Sequence, residues 1–195
     1  MRAHSTETRD DIEVPDTRSL LGWALPEDGA AAPSLAWLVA RLRDSQPDWG
    51  LLAPLTCFDD ARYARRTLAR TAACELLLVC WLPGQGSPIH DHGGSWGASL
   101  LIQGELRETR FAWAGDRLRV EAKRRAGEGD LMREESHTIH RVLNDSRHGA
   151  VSLHVYAPPM EGMTTYDEAW REAVPLRRRR PTGAGAGRRR RPRAG

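Results

Sequence analysis

Between Glu75 and Pro159 the chain is cut into short pieces, and that segmentation limits the available folds more than any other feature. ELLLVCWLP, WGASLLIQG, ELRETRFAW, DRLRVEAKR, GDLM, HTIHRVLN and GAVSLHVYAPP follow one another, none longer than eleven residues. Gly, Asp or Asn separate them, and Gly104, Gly115, Gly129 and the Asn144-Asp145 pair stand where hairpin turns are expected. Strands this short and this often interrupted are expected to close into an all-β sandwich or barrel. The sequence shows no internal repeat of the solenoid or propeller kind.

Upstream of Glu75 the texture differs. SLLGWALPEDGAAA is expected to carry a short helical turn ending before Pro26. Pro33-Ser34-Leu35 opens a better helix, with Leu35, Leu38, Val39 and Leu42 on one stripe. Asp59 to Arg70 stays open between helix and strand: charge density suggests a helix, whereas alternation places Tyr63, Arg65 and Thr67 on one strand face. MTTYDEAWREAV, near the other end, reads as a terminal helix or turn.

A chain of 195 residues is long enough for one domain with a substantial core. Residues 1–18 are polar and expected to be disordered, residues 19–176 form the domain, and residues 177–195 are expected to be a disordered tail. That tail holds nine Arg and no acid, so the formal charge of +3 becomes −6 for residues 1–176. Such a tail can touch nucleic acid without sequence preference, but a mildly acidic body argues against a dedicated nucleic-acid domain. No apolar run approaches the ~20 residues of a membrane span, and MRAHSTETRDDIEVPDTRS has no apolar signal core. Cys57, Cys74 and Cys80 form no CxxC pair, which fits reduced thiols in a cytoplasmic protein. A monomer is expected.

The chemistry is concentrated in GQGSPIHDHGGSWGASLLIQG. His90 and His92 are two residues apart, and on a strand such residues share a face. Two converging imidazoles begin a transition-metal site. His140 is the best third ligand, because it lies in a later predicted strand able to pair alongside. His137, three residues away, would point to the opposite face. Ser152, His154 and Tyr156 alternate in the last strong strand, so a hydroxyl, an imidazole and a phenol share a face and can form a hydrogen-bonded relay.

Gly84-x5-His90-x-His92, ending at Gly104, resembles the first motif of the cupin superfamily, and His140-x3-Asn144 resembles its second. Most metal-binding cupins place a Glu four or five residues after the second His; Trp96 and Gly97 stand there instead. The missing carboxylate argues against three-His-one-Glu cupins. A three-His cupin resembles the thiol dioxygenases, as do the stretches CWLPGQGSPIHDHGGSWG, HRVLN and SLHVYAPP. The similarity to the cysteine dioxygenase family runs over residues 60 to 160.

That resemblance implies a double-stranded β-helix (jelly-roll) with short N-terminal helices and an Fe(II) ion on His90, His92 and His140. It also implies a substrate thiolate that brings the anionic ligand the chain lacks, with O2 as the second substrate. Tyr156 would face the substrate and oxygen pocket, oriented by His154, which Ser152 supports. Tyr63-Ala64-Arg65 resembles the Tyr-x-Arg of cysteine dioxygenases, whose Arg grips the substrate carboxylate; relatives that oxidise 3-mercaptopropionate tend to carry Gln there. Animal members link a Cys of the first motif to the Tyr, and Gly97 at that position forbids the link here, as in bacterial-type members. A cis peptide is implied at Ala157-Pro158.

The expected activity is oxidation of L-cysteine to cysteine sulfinate. Alternatives are a 3-mercaptopropionate dioxygenase and a non-catalytic cupin sensor whose basic tail binds nucleic acid, although no helix-turn-helix is visible. A sugar isomerase or epimerase would want the missing Glu and a general base.

Overall fold

The computed structural model describes residues 13–167 and 173–175. Most of the polar stretch 1–18 and all of the Arg-rich segment 177–195 lie outside the described residues.

Capping chemistry sets the helices. Helix α1 (Thr17–Leu21) opens on Asp16, whose carboxylate accepts from the Ser19 N–H at 3.0 Å, and stops at Gly22, with φ of 78°. Helix α2 (Leu35–Asp44) starts behind Ser34, whose hydroxyl accepts from the Trp37 N–H at 3.2 Å. Leu38 and Leu42 of the expected stripe are buried. One further turn, α3 (Trp49–Leu52), precedes a 3-10 turn at Ala53–Leu55.

The rest is strand. In chain order these are β1 (Ala64–Arg70), β2 (Glu75–Trp81), β3 (Ile89–His90), β4 (Trp96–Gln103), β5 (Leu106–Ala114) and β6 (Arg117–Ala126). They continue with β7 (Leu131–Glu134), β8 (Ile139–Leu143), β9 (Ala150–Ala157), β10 (Thr164–Tyr166) and β11 (Ala173–Pro175). Two sheets result, ordered β1-β2-β9-β4-β7 and β11-β10-β3-β8-β5-β6. The expected all-β class is therefore present.

Two strands explain the packing. Every residue of β2 and of β9 is buried. Leu76, Leu78, Leu153 and Val155 face outward, where they join Leu20, Leu38, Leu42 and Leu52 of the helices in one core. Leu77, Val79, Trp81 and Tyr156 face inward and pack with Leu101, Leu106, Met132 and Val142 in a second core between the sheets. A central strand covered on both faces reads as an unbroken apolar run, which is why ELLLVCW shows no alternation.

The open stretch Asp59–Arg70 resolves as a loop followed by strand β1, paired antiparallel with β2 through Arg65↔Val79. The terminal stretch is corrected. Instead of a helix or turn, Thr164–Tyr166 forms β10, which pairs with β3 through Thr165↔His90 and with β11. A β-branched, aromatic Thr-Thr-Tyr run suits a strand better than a helix.

Candidate active site

Sheet register brings the histidines together. His90 and His140 are direct partners across β3 and β8. His92 lies beyond the end of β3, so its approach depends on the loop and not on strand pleat alone. Gly93 and Gly94 turn the chain there with positive φ (60° and 92°), and a Cβ at Gly93 would overlap the Gly162 carbonyl. The three rings come within 4.8 to 5.1 Å of one another, centroid to centroid. One ligand nitrogen from each lies within 4.8 Å of the other two.

These residues fit a metal ion. His92 is fully buried, yet neither ring nitrogen has a hydrogen-bond partner of good geometry. Leaving such nitrogens empty costs free energy, and a cation taking a lone pair removes that cost. Burial, reinforced by the charges of His140 and His92, holds His90 well below the usual imidazole range, and burial brings His92 down to about 3. Both are neutral near pH 7, the form that ligates metal.

Carboxylates orient the ligands from behind. His140 Nδ1 lies 3.0 Å from Glu108 Oε1, which leaves Nε2 for the metal. Burial alone would raise the Glu108 pKa. The hydrogen bond and charge of His140, with Arg110 and Arg124 alongside, outweigh it and bring Glu108 down to about 2. His90 Nδ1 sits 3.0 Å from the Pro88 carbonyl, which orients that ring likewise. Asp91 pins β10 instead: it accepts from Gly93 N–H, Thr164 N–H and the Tyr166 hydroxyl at 2.9, 3.0 and 2.7 Å.

The alternating triad is assembled on β9. Trp81 Nε1 donates to Ser152 Oγ at 3.0 Å, Ser152 Oγ lies 2.8 Å from His154 Nε2, and His154 Nδ1 lies 3.2 Å from the Tyr156 hydroxyl. Burial brings His154 down to about 4, so the ring between the two hydroxyls is neutral. Burial, then the charge of Glu134, push the Tyr156 phenol well above its ordinary value. The Tyr156 ring stacks on His92 at 5.1 Å. Ala157-Pro158, immediately beyond, is cis.

A narrow cavity joins these parts. His90, His140, His154 and Tyr156 line it together with Arg65 and Tyr63. Tyr63 stacks on Trp81, with centroids 4.6 Å apart and planes 16° from parallel. Arg65 therefore belongs to the cavity wall, although its strand is an edge and the residue is largely exposed. His137 is exposed beside Glu135, outside the histidine cluster. The described cysteines are free; Cys80 lies in the outer core, where burial pushes its thiol up to about 11.

Sequence reasoning missed Glu108, Glu134, Trp81 and two methionines, Met160 and Met163, that also line the cavity. The one available signal was a Glu among inward-facing strand positions, since burying a lone carboxylate is costly without a partner. Its partner, 32 residues away in the Glu108–His140 pair, gives no local spacing to recognise.

Residues 26–169 match the family model described as cysteine dioxygenase type I. The chain is similar to cysteine dioxygenase type 1 of Danio rerio, 35% identical over 139 residues that cover 67% of each protein. It is 34% identical to the Homo sapiens protein of that name over 135 residues, 64% of each. Among solved structures, an uncharacterized conserved protein with a double-stranded β-helix domain from Klebsiella pneumoniae aligns with a TM-score of 0.50. It is 16% identical and covers 58% of this chain and 91% of its own, a likeness of fold.

Proposed function

The chain belongs to the cysteine dioxygenase type I family, and on that premise we propose that it oxidises L-cysteine to cysteine sulfinate with O2, using Fe(II) held by His90, His92 and His140. The convergence of three buried imidazoles beside a cavity that also holds Arg65 and Tyr156 carries this reading. In the reaction the sulfur loses its hydrogen and gains both oxygen atoms of O2, so RSH and O2 give RSO2H, which ionises. When bound, Fe(II) supplies the open coordination positions and the redox chemistry that no side chain offers.

The protein's own residues do the rest. Three neutral ligands leave the cation's charge uncompensated, so the site favours an anionic thiolate. Arg65 offers two N–H groups to the substrate carboxylate, a geometry that suits a planar guanidinium. The stacked Tyr63 and Trp81 line the cavity beside it. Tyr156 presents its hydroxyl to the pocket, while His154, Ser152 and Trp81 restrain the phenol from behind. Glu108 keeps the His140 proton on Nδ1, away from the metal.

Metal-free protein loaded with Fe(II) without oxygen, then mixed with cysteine and air, is expected to consume O2 and release sulfinate. Zinc-loaded protein is expected to do neither. Equal turnover with zinc would remove the redox role of the metal. Faster turnover of 3-mercaptopropionate than of cysteine would move the substrate assignment to that thiol.

A further inference from the structure

Gly97 has neighbours on both sides in the sheet: Tyr156 on β9 and Glu134 on β7 are its register partners. The three form one row on the inner face, and the middle member has no side chain. Neighbouring strands are ~4.8 Å apart, so Tyr156 and Glu134 are anchored roughly 10 Å from each other across the vacancy. A Cβ at Gly97 would overlap the Tyr156 ring. The row thus accommodates two long side chains only because the third is absent.

Glu134 is fully buried. Its Oε1 accepts from the Ser99 hydroxyl at 3.2 Å, whereas Oε2 has no hydrogen-bond partner of good geometry and lies 3.4 Å from His92 Nε2. A buried carboxylate oxygen needs a donor. The direction of donation along β9 identifies one. An indole N–H can only donate, so Trp81 occupies one lone pair of Ser152, and the arrangement that also gives the buried Ser152 O–H an acceptor has it donate to His154 Nε2. The neutral ring then carries its proton on Nδ1 and donates it to the Tyr156 oxygen. Tyr156 is left with a proton to donate further.

We propose that Glu134 is a positioning residue: through the gap at Gly97 its carboxylate accepts the Tyr156 O–H and ends a one-way chain Trp81 → Ser152 → His154 → Tyr156 → Glu134. The phenol is then held from both sides at the rim of the metal site, with its proton directed toward the row and its oxygen lone pairs restrained by His154. Once a metal takes a His92 nitrogen, the carboxylate stays on the phenol. This role deepens the dioxygenase reading, and only its kinetic consequence rests on that reading.

The test is ultraviolet resonance Raman spectroscopy of the metal-free protein, with Tyr156→Phe used to isolate the Tyr156 doublet. In the unsubstituted protein the doublet is expected to report a phenol that donates strongly. Glu134→Leu shifts it toward a non-donating phenol, and Glu134→Gln, which keeps an acceptor oxygen, shifts it less. In the Fe(II)-loaded enzyme Glu134→Leu lowers kcat about tenfold or more, the scale of one lost charge-assisted hydrogen bond, with KM and metal content kept. Glu134→Gln recovers part of that loss. If Glu134→Leu fails to fold, the smaller shift in Glu134→Gln decides. A Tyr156 doublet that does not move in either variant overturns the proposal, whatever the activity. So does a loss of metal affinity with the doublet unmoved, which would instead assign the carboxylate to His92.

Discussion

In the proposed pocket Arg65 would face the substrate from the cavity wall, and Glu108 would reach the metal through His140. Arg65→Gln removes a charge and one face of the bidentate fork, so KM for cysteine should rise by about tenfold or more with metal content unchanged. Steady-state kinetics beside metal analysis checks this, and an unchanged KM would take the carboxylate away from Arg65. Glu108→Gln leaves His140 without its charged acceptor and should weaken metal binding by about 10- to 100-fold, measurable by competition with a chelator. At this scale the sequence was informative where partners are close along the chain. His90-x-His92 and Ser152-x-His154-x-Tyr156 announce themselves by spacing, whereas Tyr63 and Arg65, in a stretch open between helix and strand, were singled out only by the family resemblance. Glu108 and Glu134 do not, because each serves a group more than 20 residues away, and a Glu in a charged strand looks like solvated surface until the sheet turns it inward.

Strands β2 and β9 connect the helical layer to the pocket, since one face of each builds the outer core and the other carries site residues. Leu153 is fully buried on the outer face, between Ser152 and His154, which point inward. Leu153→Ala should cost about 2–5 kcal/mol, the range for cavities in rigid cores, and urea unfolding of the metal-free protein measures it. A loss well below 1 kcal/mol would mean that the helical layer collapses into the space. Element identity was legible for these strands because Gly and Asn turns delimit them. The Thr164–Tyr166 strand was misread: its register partner is His90, and no local pattern announces pairing across more than 70 residues. The position of His92 was also only half legible. Its convergence with His90 depends on a Gly93-Gly94 turn and on Asp91 tying that loop to β10, more than on strand pleat.

For the whole molecule, the metal site creates a conditional liability. His90, His92 and His154 are buried and neutral, with pKa values below that of a free imidazole; His92 is at about 3 and His154 at about 4. Unfolding restores values near 6.5, so below that pH the unfolded chain binds more protons than the folded one. Stability of the metal-free protein should be flat above pH 7 and fall as pH drops from 6.5 toward 4. Each histidine contributes about 1.4 kcal/mol per pH unit at full slope. Denaturation midpoints at pH 7.5 and 5.5 test this, and equal midpoints would mean that the rings are already protonated in the fold. No described helix is long and apolar enough to cross a membrane. The arrangement as a whole is a small β-sandwich whose sheets pack apolar residues at one level and the three clustered imidazoles of His90, His92 and His140 at another.

In the proposed reaction this pocket delivers both atoms of one O2 molecule to the sulfur of cysteine. Anaerobically Fe(II)-loaded protein should be mixed with cysteine under 18O2 in ordinary water and the sulfinate analysed by mass spectrometry. Both sulfinate oxygens should be heavy. A product with one heavy oxygen and one from water, or no sulfinate from iron-replete protein, would contradict the proposed reaction.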